Sequence, residues 1–566
     1  MIRRTLLLIV ILAIHCMAYS GVPDSGENNI PDKASRYSMD DAGTFVKPML
    51  IELSLAGNFG EPRPHHFHAG LDMRTQQEEG KVVVAAAEGY VERVLVSPTG
   101  YGNALFVRHP NGYTTVYAHL SRFAPQIRAA VKKWQYANHS ADVDMRLPAH
   151  QMPVSQGQFI AFSGNTGGSY GPHLHFEVRR TDTMEMVDPL EFLGDSIKDT
   201  QAPVAHSFMA FPQEGEGLFC GKPQTQTFAL SPKALTAWGK VGFGVYADDK
   251  MDEQQNTYGV RHTKLFLDGK LLFESDVNNI PADMHRMINS WGNYDYFAEH
   301  RRWYLKSFIE PGNKLPILKA GSGQGVVDFN EERDYHFRYE LSDYYGNKSE
   351  YEFVVRGTKA SIPGPPSVNT ANLLHYDKAN HLSLSGVDID VKDGSLPYDV
   401  QLCPVIEGSG VGMTCRLYNR RMPLFTSATL SFPIQGEGQP DKLYVKADSN
   451  VISSRIDGDH LKADITELER LYTVCLDTVA PVIKPAGNIG AHSLLFNLED
   501  KESGIKSVEG TLDGQFILFM PLRLYTLIGC DLSDTPVKPT GKNRKLTLTV
   551  TDLCGNKSKY ETQVMY

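Results

Sequence analysis

Three histidines and one aspartate lie within eight residues in the segment HHFHAGLD (65–72). Imidazole and carboxylate groups both bind zinc in proteins, and a catalytic zinc needs three protein ligands and an open position for water. His68 and Asp72 are four residues apart, and Gly70 between them permits the sharp bend that would let both side chains converge. The segment therefore predicts part of a metal site, whose remaining ligand must come from elsewhere in the chain.

The segment GPHLHFEV (171–178) supplies a candidate for that ligand. His173 and His175 are two residues apart in a run that alternates like a β-strand, so both side chains are expected on one face. Two histidines on one face can divide their roles, one binding metal and the other acting on the substrate. A further histidine, His119, ends another predicted strand in VYAHL (116–120).

These motifs together resemble the M23 (LytM/lysostaphin-like) zinc metallopeptidases, which cut peptide cross-links in bacterial cell walls. The resemblance rests on H-x-x-x-D (68–72), Y-x-H-L (117–120) and G-P-H-L-H-F-E (171–177). It also includes three further segments: GYGN (100–103), VSQGQFIAFSGNTG (154–167) and DPLEFL (188–193). It covers about residues 46–195, and the multidomain layout is similar to M23 proteins of the Bacteroidetes type.

The resemblance implies a role for each of five residues. The zinc ligands would be His68, Asp72 and His175, and the two active-site histidines that do not bind metal would be His119 and His173. Zinc would lower the pKa of a bound water towards about 7 and polarise the scissile carbonyl. His119 and His173 would orient or deprotonate that water and stabilise the oxyanion. How these two histidines share the work stays open at this point.

Four other histidines lie outside this assignment. In a strand His66 would share a face with His68 and compete for metal, or, like His65, it would support the ligands or face the substrate. His139 and His150 are predicted to be solvated loop histidines.

An excursion of the chain over residues 121–153 separates Y-x-H-L from the next predicted strand, whereas many simpler M23 members have almost none. Apolar residues at helical spacing predict a helix over about residues 124–140. These residues are Ile127, Ala130, Val131 and Trp134. We expect the excursion at the rim of the substrate groove, where it would narrow access.

Short alternating or β-branched runs separated by Gly, Pro and Asn dominate the chain from about residue 46 and are typical of antiparallel β proteins. The predicted fold class is mainly β, with an M23-type antiparallel β catalytic domain that carries a helical insertion, followed by β-sandwich or immunoglobulin-like domains. A length of 566 residues exceeds what one hydrophobic core organises.

The region after the peptidase-like segment contains a repeated unit. DTQAPV (199–204) recurs as DTVAPV (477–482), and DYYGNKSEYE (343–352) recurs as DLCGNKSKYE (552–561). The predicted division is a signal peptide at 1–20, a flexible N-terminus at 21–45, an M23 peptidase domain at 46–197, an Ig-like domain with an insertion at 198–357, a β-rich domain at 358–476 and an Ig-like domain at 477–566.

The repeated D-x-x-G-N endings favour tight turns, because Asp, Gly and Asn all suit chain reversals. Calcium binding is the alternative for Asp249 and Asp343 with Asn347, and for their counterparts Asp500 and Asp552 with Asn556. An aromatic cluster in the first repeat predicts core packing, with a sugar-stacking surface as the alternative. Its members are Trp291, Tyr294, Tyr296, Phe297, Trp303 and Tyr304.

The N-terminus predicts export. MIRR is followed by a short apolar run and by small residues at Ala18 and Ser20, which is typical of a signal peptide cleaved before Gly21. Lipidation at Cys16 is the alternative, and no later segment is apolar enough to cross a membrane. The predicted location is the periplasm, the cell envelope or the exterior.

Six cysteines remain after that cleavage, and in an oxidising compartment an even number favours structural disulfides. They are Cys220, Cys403, Cys415, Cys475, Cys530 and Cys554.

The sequence thus predicts a secreted zinc metalloendopeptidase that acts on peptidoglycan peptides, with C-terminal β domains that dock it to wall or envelope partners. A net charge of −10 and a pI near 6.0 argue against nucleic-acid binding. The first alternative is a regulatory LytM-type protein that binds and activates a wall amidase or binds wall fragments. The second is an adhesive β protein with a vestigial peptidase domain.

Overall fold

The computed structural model describes residues 45–231, 234–252, 254–434, 436 and 438–566, with the side chain of residue 523 left out. The predicted signal peptide and almost all of the predicted flexible N-terminus lie outside the described residues. Within the described part of the chain, no helix combines the length and apolar character needed to cross a membrane. Strands dominate, which confirms the mainly β fold class.

Fourteen strands and two α-helices form the N-terminal segment. The strands are β1 Leu55–Gly57, β2 Pro62–Arg63, β3 His66–Phe67, β4 Leu71–Arg74, β5 Val82–Val84, β6 Gly89–Val96, β7 Ala104–Arg108, β8 Tyr113–Ala118, β9 Arg122–Phe123, β10 Val143–Arg146, β11 Pro153–Val154, β12 Phe159–Phe162, β13 His173–Arg180 and β14 Met186–Val187. The helices are α1 Pro125–Asn138 and α2 Leu190–Leu193, followed by a 3₁₀ turn at Gly194–Ser196.

The main sheet of this segment has the order β1-β4-β13-β8-β7-β6-β10, and every pairing in it is antiparallel. A smaller sheet, β5-β12-β9, packs with it around a first core. Alternation in β13 buries Leu174 and Phe176 on the core side. His173, His175 and Glu177, which alternate with them, are therefore directed to the opposite face, which is where the candidate site lies.

The predicted helix exists as α1. Proline at its first position suits an N-terminus because it lacks the N–H that would go unpaired there. The residue after the helix, His139, caps it in the left-handed conformation with φ 49°. Ile127 and Val131 face the first core. On another side, the ring of His139 stacks on Phe516 at 4.2 Å, so the excursion also contacts the C-terminal region.

The chain that follows the N-terminal segment forms three further hydrophobic cores. The second core, over about 205–355, has these strands: Val204–Phe219, Gln226–Phe228, Leu235–Asp248, His262–Leu267, Lys270–Asp276, Asn279–Ile280, Leu305–Lys306, Leu318–Ala320, Val327–Phe329, Asp334–Ser342 and Lys348–Gly357. Its helices are α3 Ile288–Trp291 and α4 Tyr294–His300, after a 3₁₀ turn at His285–Met287.

The third core, over about 374–474, has these strands: Leu373–Leu374, Asn380–Leu384, Val387–Val391, Val400–Gln401, Val405–Glu407, Thr414–Arg416, Pro423–Pro433, Leu443–Ala447, Asn450–Ile452, Ser454–Asp457, His460–Glu467 and Tyr472–Leu476. The fourth core, over 494–564, lies between two four-stranded sheets. Their strands are Val482–Pro485, Leu494–Glu499, Ile505–Leu512, Gln515–Ile517, Met520–Arg523, Leu527–Cys530, Asn543–Asp552 and Lys557–Met565. Short 3₁₀ turns occur at Thr370–Asn372, Pro440–Lys442 and Leu532–Asp534.

The junction between the first and second cores is extensive. β14 pairs with the strand Asn279–Ile280, and Phe59 and Phe67 pack into the second core. The Arg261 guanidinium joins the two sides, with bonds of 2.6 Å to Asp188, 2.9 Å to Glu191 and 2.8 Å to Asp276. Packing therefore crosses the predicted boundary at residue 197, and the domain division itself stays a prediction.

Two expectations about side chains have mixed outcomes. Trp291 and Tyr304 are buried, as a core role predicts, while Phe297 and Trp303 stack at 4.2 Å and are only half-buried.

The expectation of disulfides is wrong for this structure, in which all six described cysteines are free thiols. Burial raises the pKa of both Cys415 and Cys530 to about 12, so these thiols are protonated core side chains.

Candidate metal centre and active site

Strand register places the predicted site residues side by side. β13 pairs with β4 so that His175 lies opposite Asp72, and it pairs with β8 so that His175 also lies opposite Ala118. Directly opposite residues of an antiparallel pair point to the same face. Asp72 and His175 therefore meet on one face, and His119, the first residue after β8, comes to the same edge.

His68, Asp72 and His175 form a tight triangle of donor atoms. His68 Nε2 lies 2.9 Å from Asp72 Oδ1 and 3.1 Å from His175 Nδ1, and His175 Nδ1 lies 2.8 Å from Asp72 Oδ1. All three residues are buried, with exposures of 2%, 7% and 6%. The structure thus brings together the three predicted ligands.

The opposite edge of each imidazole is fixed by an acceptor. His68 Nδ1 donates to the carbonyl oxygen of Asn58 at 2.5 Å, and His175 Nε2 donates to Glu177 Oε1 at 2.9 Å. In a neutral ring the other nitrogen then carries a lone pair, and in both histidines that lone pair faces Asp72. Two nitrogens and one oxygen converge as acceptors, which is the donor set that a divalent cation such as zinc requires.

Electrostatics keep His68 and Asp72 in the protonation states that metal binding requires, whereas His175 must give up a proton to bind a metal. Burial, followed by the charge of Arg63, lowers the pKa of His68 to about 4, so the ring is neutral. Burial alone would raise the pKa of Asp72, but His68, His173 and His175 hold it well below its usual range. Asp72 is therefore an ionised carboxylate, and its outer oxygen Oδ2 accepts from Arg63 at 2.8 Å.

Glu177 is a fully buried carboxylate beneath the triangle. It accepts from His175 at 2.9 Å, from the Tyr101 hydroxyl at 2.6 Å and from Arg179 Nε at 2.6 Å. Burial opposes ionisation, yet the charge of Arg179 and then the contacts from His175 lower the pKa of Glu177 to about 2. Burial likewise opposes the charged form of His175, and hydrogen bonds to Asp72 and Glu177 outweigh it and raise that pKa to about 9. Glu177 thus makes His175 a more basic ligand.

His119 and His173 lie beside the triangle without belonging to it. Their rings are 4.7 Å apart between centroids, and His173 Nε2 is 3.4 Å from Asp72 Oδ1. His119 Nδ1 donates to the carbonyl of Thr166 at 2.8 Å, and His173 Nδ1 donates to that of Gly171 at 2.9 Å. Burial, then the neighbouring histidines, lowers the pKa of His119 to about 3, which leaves a neutral ring with its lone pair on Nε2.

The backbone at His119 is held in an uncommon conformation. Its φ is 58°, in the left-handed region, where a non-glycine residue costs about 1–3 kcal/mol. The N–H groups of His119 and Leu120 donate to the carbonyls of Tyr101 and Asn103 at 2.9 and 3.0 Å. The GYGN segment therefore fixes the turn that aims the imidazole of His119 at the site.

The other histidines of the opening cluster are not part of the triangle. His66 Nδ1 donates to its neighbour, the carbonyl of Pro64, at 2.9 Å. His65 lies against Tyr294, whose hydroxyl is 3.1 Å from its Nε2, at the contact with the second core. His139 and His150 are exposed, as predicted.

Three residues that support the site are not among the site residues predicted from the sequence. Glu177 stands two residues after His175, so strand alternation could have identified it. Arg63 and Asn58 show no such signal, because β2 and the turn before it approach the site only through tertiary packing.

The Glu177→Gln variant is expected to weaken zinc affinity about 10- to 100-fold, because an amide cannot accept from His175, Tyr101 and Arg179 together. Titration of the protein against a chromophoric zinc chelator measures this. The control is Glu92→Gln, which removes a surface pair with Arg108 at 3.3 Å and should leave zinc affinity unchanged. Equal affinity in all three proteins would contradict the assigned role of Glu177.

The described fold is β-rich and brings together three residues that could hold a metal ion. A family model described as Peptidase family M23 matches residues 66–140 and 133–189. The chain therefore carries a domain of peptidase family M23.

Three curated relatives match part of this chain. The chain is 31% identical over 192 residues to DD-carboxypeptidase/endopeptidase Mpg of Neisseria meningitidis serogroup B, covering 33% of this chain and 37% of that protein. It is 29% identical over 165 residues to peptidoglycan DD-endopeptidase ShyC of Vibrio cholerae serotype O1, covering 28% and 31%. It is 31% identical over 124 residues to murein hydrolase activator NlpD of Salmonella dublin, covering 22% and 26%.

The chain spans only 26% to 37% of the length of these curated relatives. A solved structure described as a zinc containing peptidase from Vibrio cholerae is 28% identical, covers 26% of this chain and 38% of that chain, and has a TM-score of 0.19. The relatives comprise both peptidases and an activator, so the choice between these roles depends on the site itself.

Proposed function

We propose that this protein is an exported zinc metalloendopeptidase that cleaves peptide cross-links of peptidoglycan. The observation that carries the proposal is the joint presence of a complete ligand triangle and of two further histidines beside it. A protein that only binds an amidase or a wall fragment has no chemical need for either feature. The intact set therefore favours an enzyme over a regulator or an adhesive protein.

His68, Asp72 and His175 would hold the metal. This donor set suits zinc, because zinc commonly binds imidazole nitrogens and also binds carboxylate oxygens. Zinc bound there supplies an activated water and polarises the carbonyl of the scissile bond. Asn58, Glu177 and Arg63 keep the donor atoms oriented through the hydrogen bonds described above.

His119 and His173 would perform the proton transfers. Each ring directs Nδ1–H to a backbone carbonyl, so Nε2 is free to accept a proton from the attacking water. Once protonated, the same Nε2–H can donate to the oxyanion or return the proton to the leaving amine. His173 is the partly exposed member of the pair, and its Nε2 is 3.4 Å from a ligand oxygen, so we expect it to face the substrate.

Export is part of the proposal because the substrate lies outside the cytoplasm. The names of the relatives refer to peptidoglycan and murein, which places the activities of those proteins in the envelope. Residues 1–20, whose sequence predicts a signal peptide, would direct the export of this chain.

Digestion of purified peptidoglycan by the mature protein tests the proposal. We expect new muropeptides with cleaved cross-links, loss of their release after chelation and recovery when stoichiometric zinc is added back. The exposed variant His150→Asn is a matched control that should behave as the wild type. A zinc-loaded protein that releases no muropeptides from directly or glycine-bridged cross-linked wall, yet stimulates a wall amidase, would instead show a regulator.

A further inference from the structure

Three aspartates meet inside the protein, away from the metal centre, at the ends of the first repeat. Asp199 precedes the strand Val204–Phe219, Asp249 directly follows Leu235–Asp248, and Asp343 directly follows Asp334–Ser342. One carboxylate oxygen from each lies within 4.8 Å of the others, and the three residues are 7%, 2% and 3% exposed. Three buried carboxylates therefore share one small volume.

No basic side chain among the described residues pairs with this cluster. Arg261 lines the same small cavity but bonds to three other carboxylates, Asp188, Glu191 and Asp276. Burial, followed by the charge of Asp343, raises the pKa of Asp249 to about 8, which reflects how unfavourable these neighbouring charges are. Like charges at this distance need either protons or a cation between them.

One oxygen of the cluster has no hydrogen-bond donor among the described residues, and Asp199 contacts the carboxyl group of Asp343. Asp199 Oδ1 accepts from the N–H of Gln201 at 3.0 Å, whereas the buried Oδ2 has no donor among the described residues. Buried carboxylate oxygens are normally satisfied, so an unpaired one marks a position for a water or an ion. The cavity that Asp199, Asp249 and Asp343 line together measures about 10 Å³, close to the size of one water or one ion.

We propose that Asp199, Asp249 and Asp343 form a binding site for a divalent cation with oxygen preference, calcium above all. Calcium takes carboxylate, carbonyl and water oxygens at about 2.3–2.6 Å, so oxygens around one ion lie up to about 5 Å apart. The separations in this cluster match that spacing. All three residues belong to the repeat, none to the metal centre, and the inference goes beyond the proposed peptidase activity.

The second repeat contains a matched cluster that differs in the decisive contact. Asp477, Asp500 and Asp552 also meet within 4.8 Å. There, however, Asp477 Oδ2 accepts from both the N–H, at 3.1 Å, and the hydroxyl of Ser503. When the two repeats are aligned on their shared Asp-Lys pair, Asp252 of the first repeat occupies the position of Ser503 in the second. Asp252 cannot donate as Ser503 does, and its carboxylate accepts a hydrogen bond from the hydroxyl of Thr200. The second cluster thus satisfies with its own donors the oxygen that stays unpaired in the first.

Both clusters also contain the predicted D-x-x-G-N turn. The N–H and side-chain amide of Asn347 donate to Asp343 at 2.8 and 2.7 Å, and Asn556 repeats this with Asp552 at 2.8 Å each. The turn interpretation is confirmed in both repeats. In the first repeat the turn also presents its aspartate to the proposed cation, so the two interpretations are compatible there.

The location gives the cation a structural consequence. Asn58, which also lines the cavity, exchanges two hydrogen bonds with Gly259, at 2.8 and 2.9 Å, and accepts from His68 through its carbonyl. A cation bound by the three aspartates would therefore stabilise the contact between the second core and the chain that positions a ligand of the metal centre.

Calcium uptake by the full-length mature protein, loaded with zinc beforehand, tests the site. Calcium chloride titration in a calorimeter should show one ion per chain in the wild type, and the melting temperature should rise with calcium. The Asp249→Asn variant should lose both effects, because it removes one charged ligand while its side-chain oxygen can still accept from Lys250 N–H. Asp500→Asn is the matched control and should keep both effects.

Without calcium, Asp249→Asn should melt no lower than the wild type, because a neutral amide adds no charge to those of Asp199 and Asp343. If this variant fails to fold, Asp199→Asn provides the same comparison. No calcium uptake by the wild type, or equal uptake by the wild type and the first-repeat variants, would overturn the proposal. Zinc content and muropeptide release are measured in parallel, so a failed peptidase assay stays distinguishable from a failed cation site.

Discussion

Replacing His68 with alanine is expected to remove zinc from the protein and with it all measurable hydrolysis of peptidoglycan. His68 Nε2 is one corner of a triangle whose other corners, Asp72 Oδ1 and His175 Nδ1, lie 2.9 and 3.1 Å away. Two remaining donors hold zinc far more weakly than three, because a catalytic site depends on three protein ligands. Elemental analysis after dialysis measures the zinc, and muropeptide release measures activity.

His119→Ala is the companion variant that separates metal binding from proton transfer. His119 is outside the triangle, so zinc content should equal that of the wild type, while hydrolysis falls about 10²- to 10⁴-fold because a general base is lost. Its backbone φ of 58° would be no less strained in alanine, so folding is checked by melting temperature. If His68→Ala keeps stoichiometric zinc, the ligand assignment is wrong. If both variants release as many muropeptides as the wild type, the peptidase proposal itself fails.

The predictable part of the site is the part that local geometry encodes. Strand alternation alone places His173 and His175 on one face, and the four-residue spacing around a glycine brings His68 to Asp72. Both rules operate within a few residues, so they can be applied without knowing the fold. The helix α1 was predictable for the same reason, because apolar spacing is a local signal.

The remaining features depend on contacts between distant segments. Arg63 reaches Asp72, and the carbonyl of Asn58 reaches His68, only because β2 and its preceding turn fold over the end of the main sheet. Likewise, the repeated motifs predict turns around Asp343 and Asp552, whereas the meeting of three aspartates requires three strand ends to coincide. Whether such a cluster lacks a donor is decided by a single side chain, as the comparison with Ser503 shows.

Replacing Gly70 with alanine is expected to disable the metal centre without touching any ligand. A Cβ at this position would lie 2.1 Å from the carbonyl oxygen and 2.8 Å from the carbonyl carbon of Phe176, which are backbone atoms of β13. The clash cannot be relieved by a rotamer change, so β4 and β13 must separate. The same strand pair sets Asp72 opposite His175, and the triangle would open with it. Zinc affinity should therefore fall steeply, and overpacking of this kind lowers the free energy of unfolding by about 1–3 kcal/mol or more.

Gly321→Ala is the matched control, because a Cβ there meets no atom within 4 Å and the backbone φ of Gly321 is not in the left-handed region. It should leave zinc affinity and hydrolysis unchanged. Chelator competition measures the affinity, and thermal unfolding of both variants measures the stability. The decisive outcome is whether Gly70→Ala loses zinc affinity together with stability. If that variant binds zinc as tightly as the wild type, the close approach of β4 to β13 is not what holds His68, Asp72 and His175 together. A loss in Gly70→Ala with none in Gly321→Ala would instead show that a backbone contact, as much as the ligands themselves, sets the geometry of the metal centre.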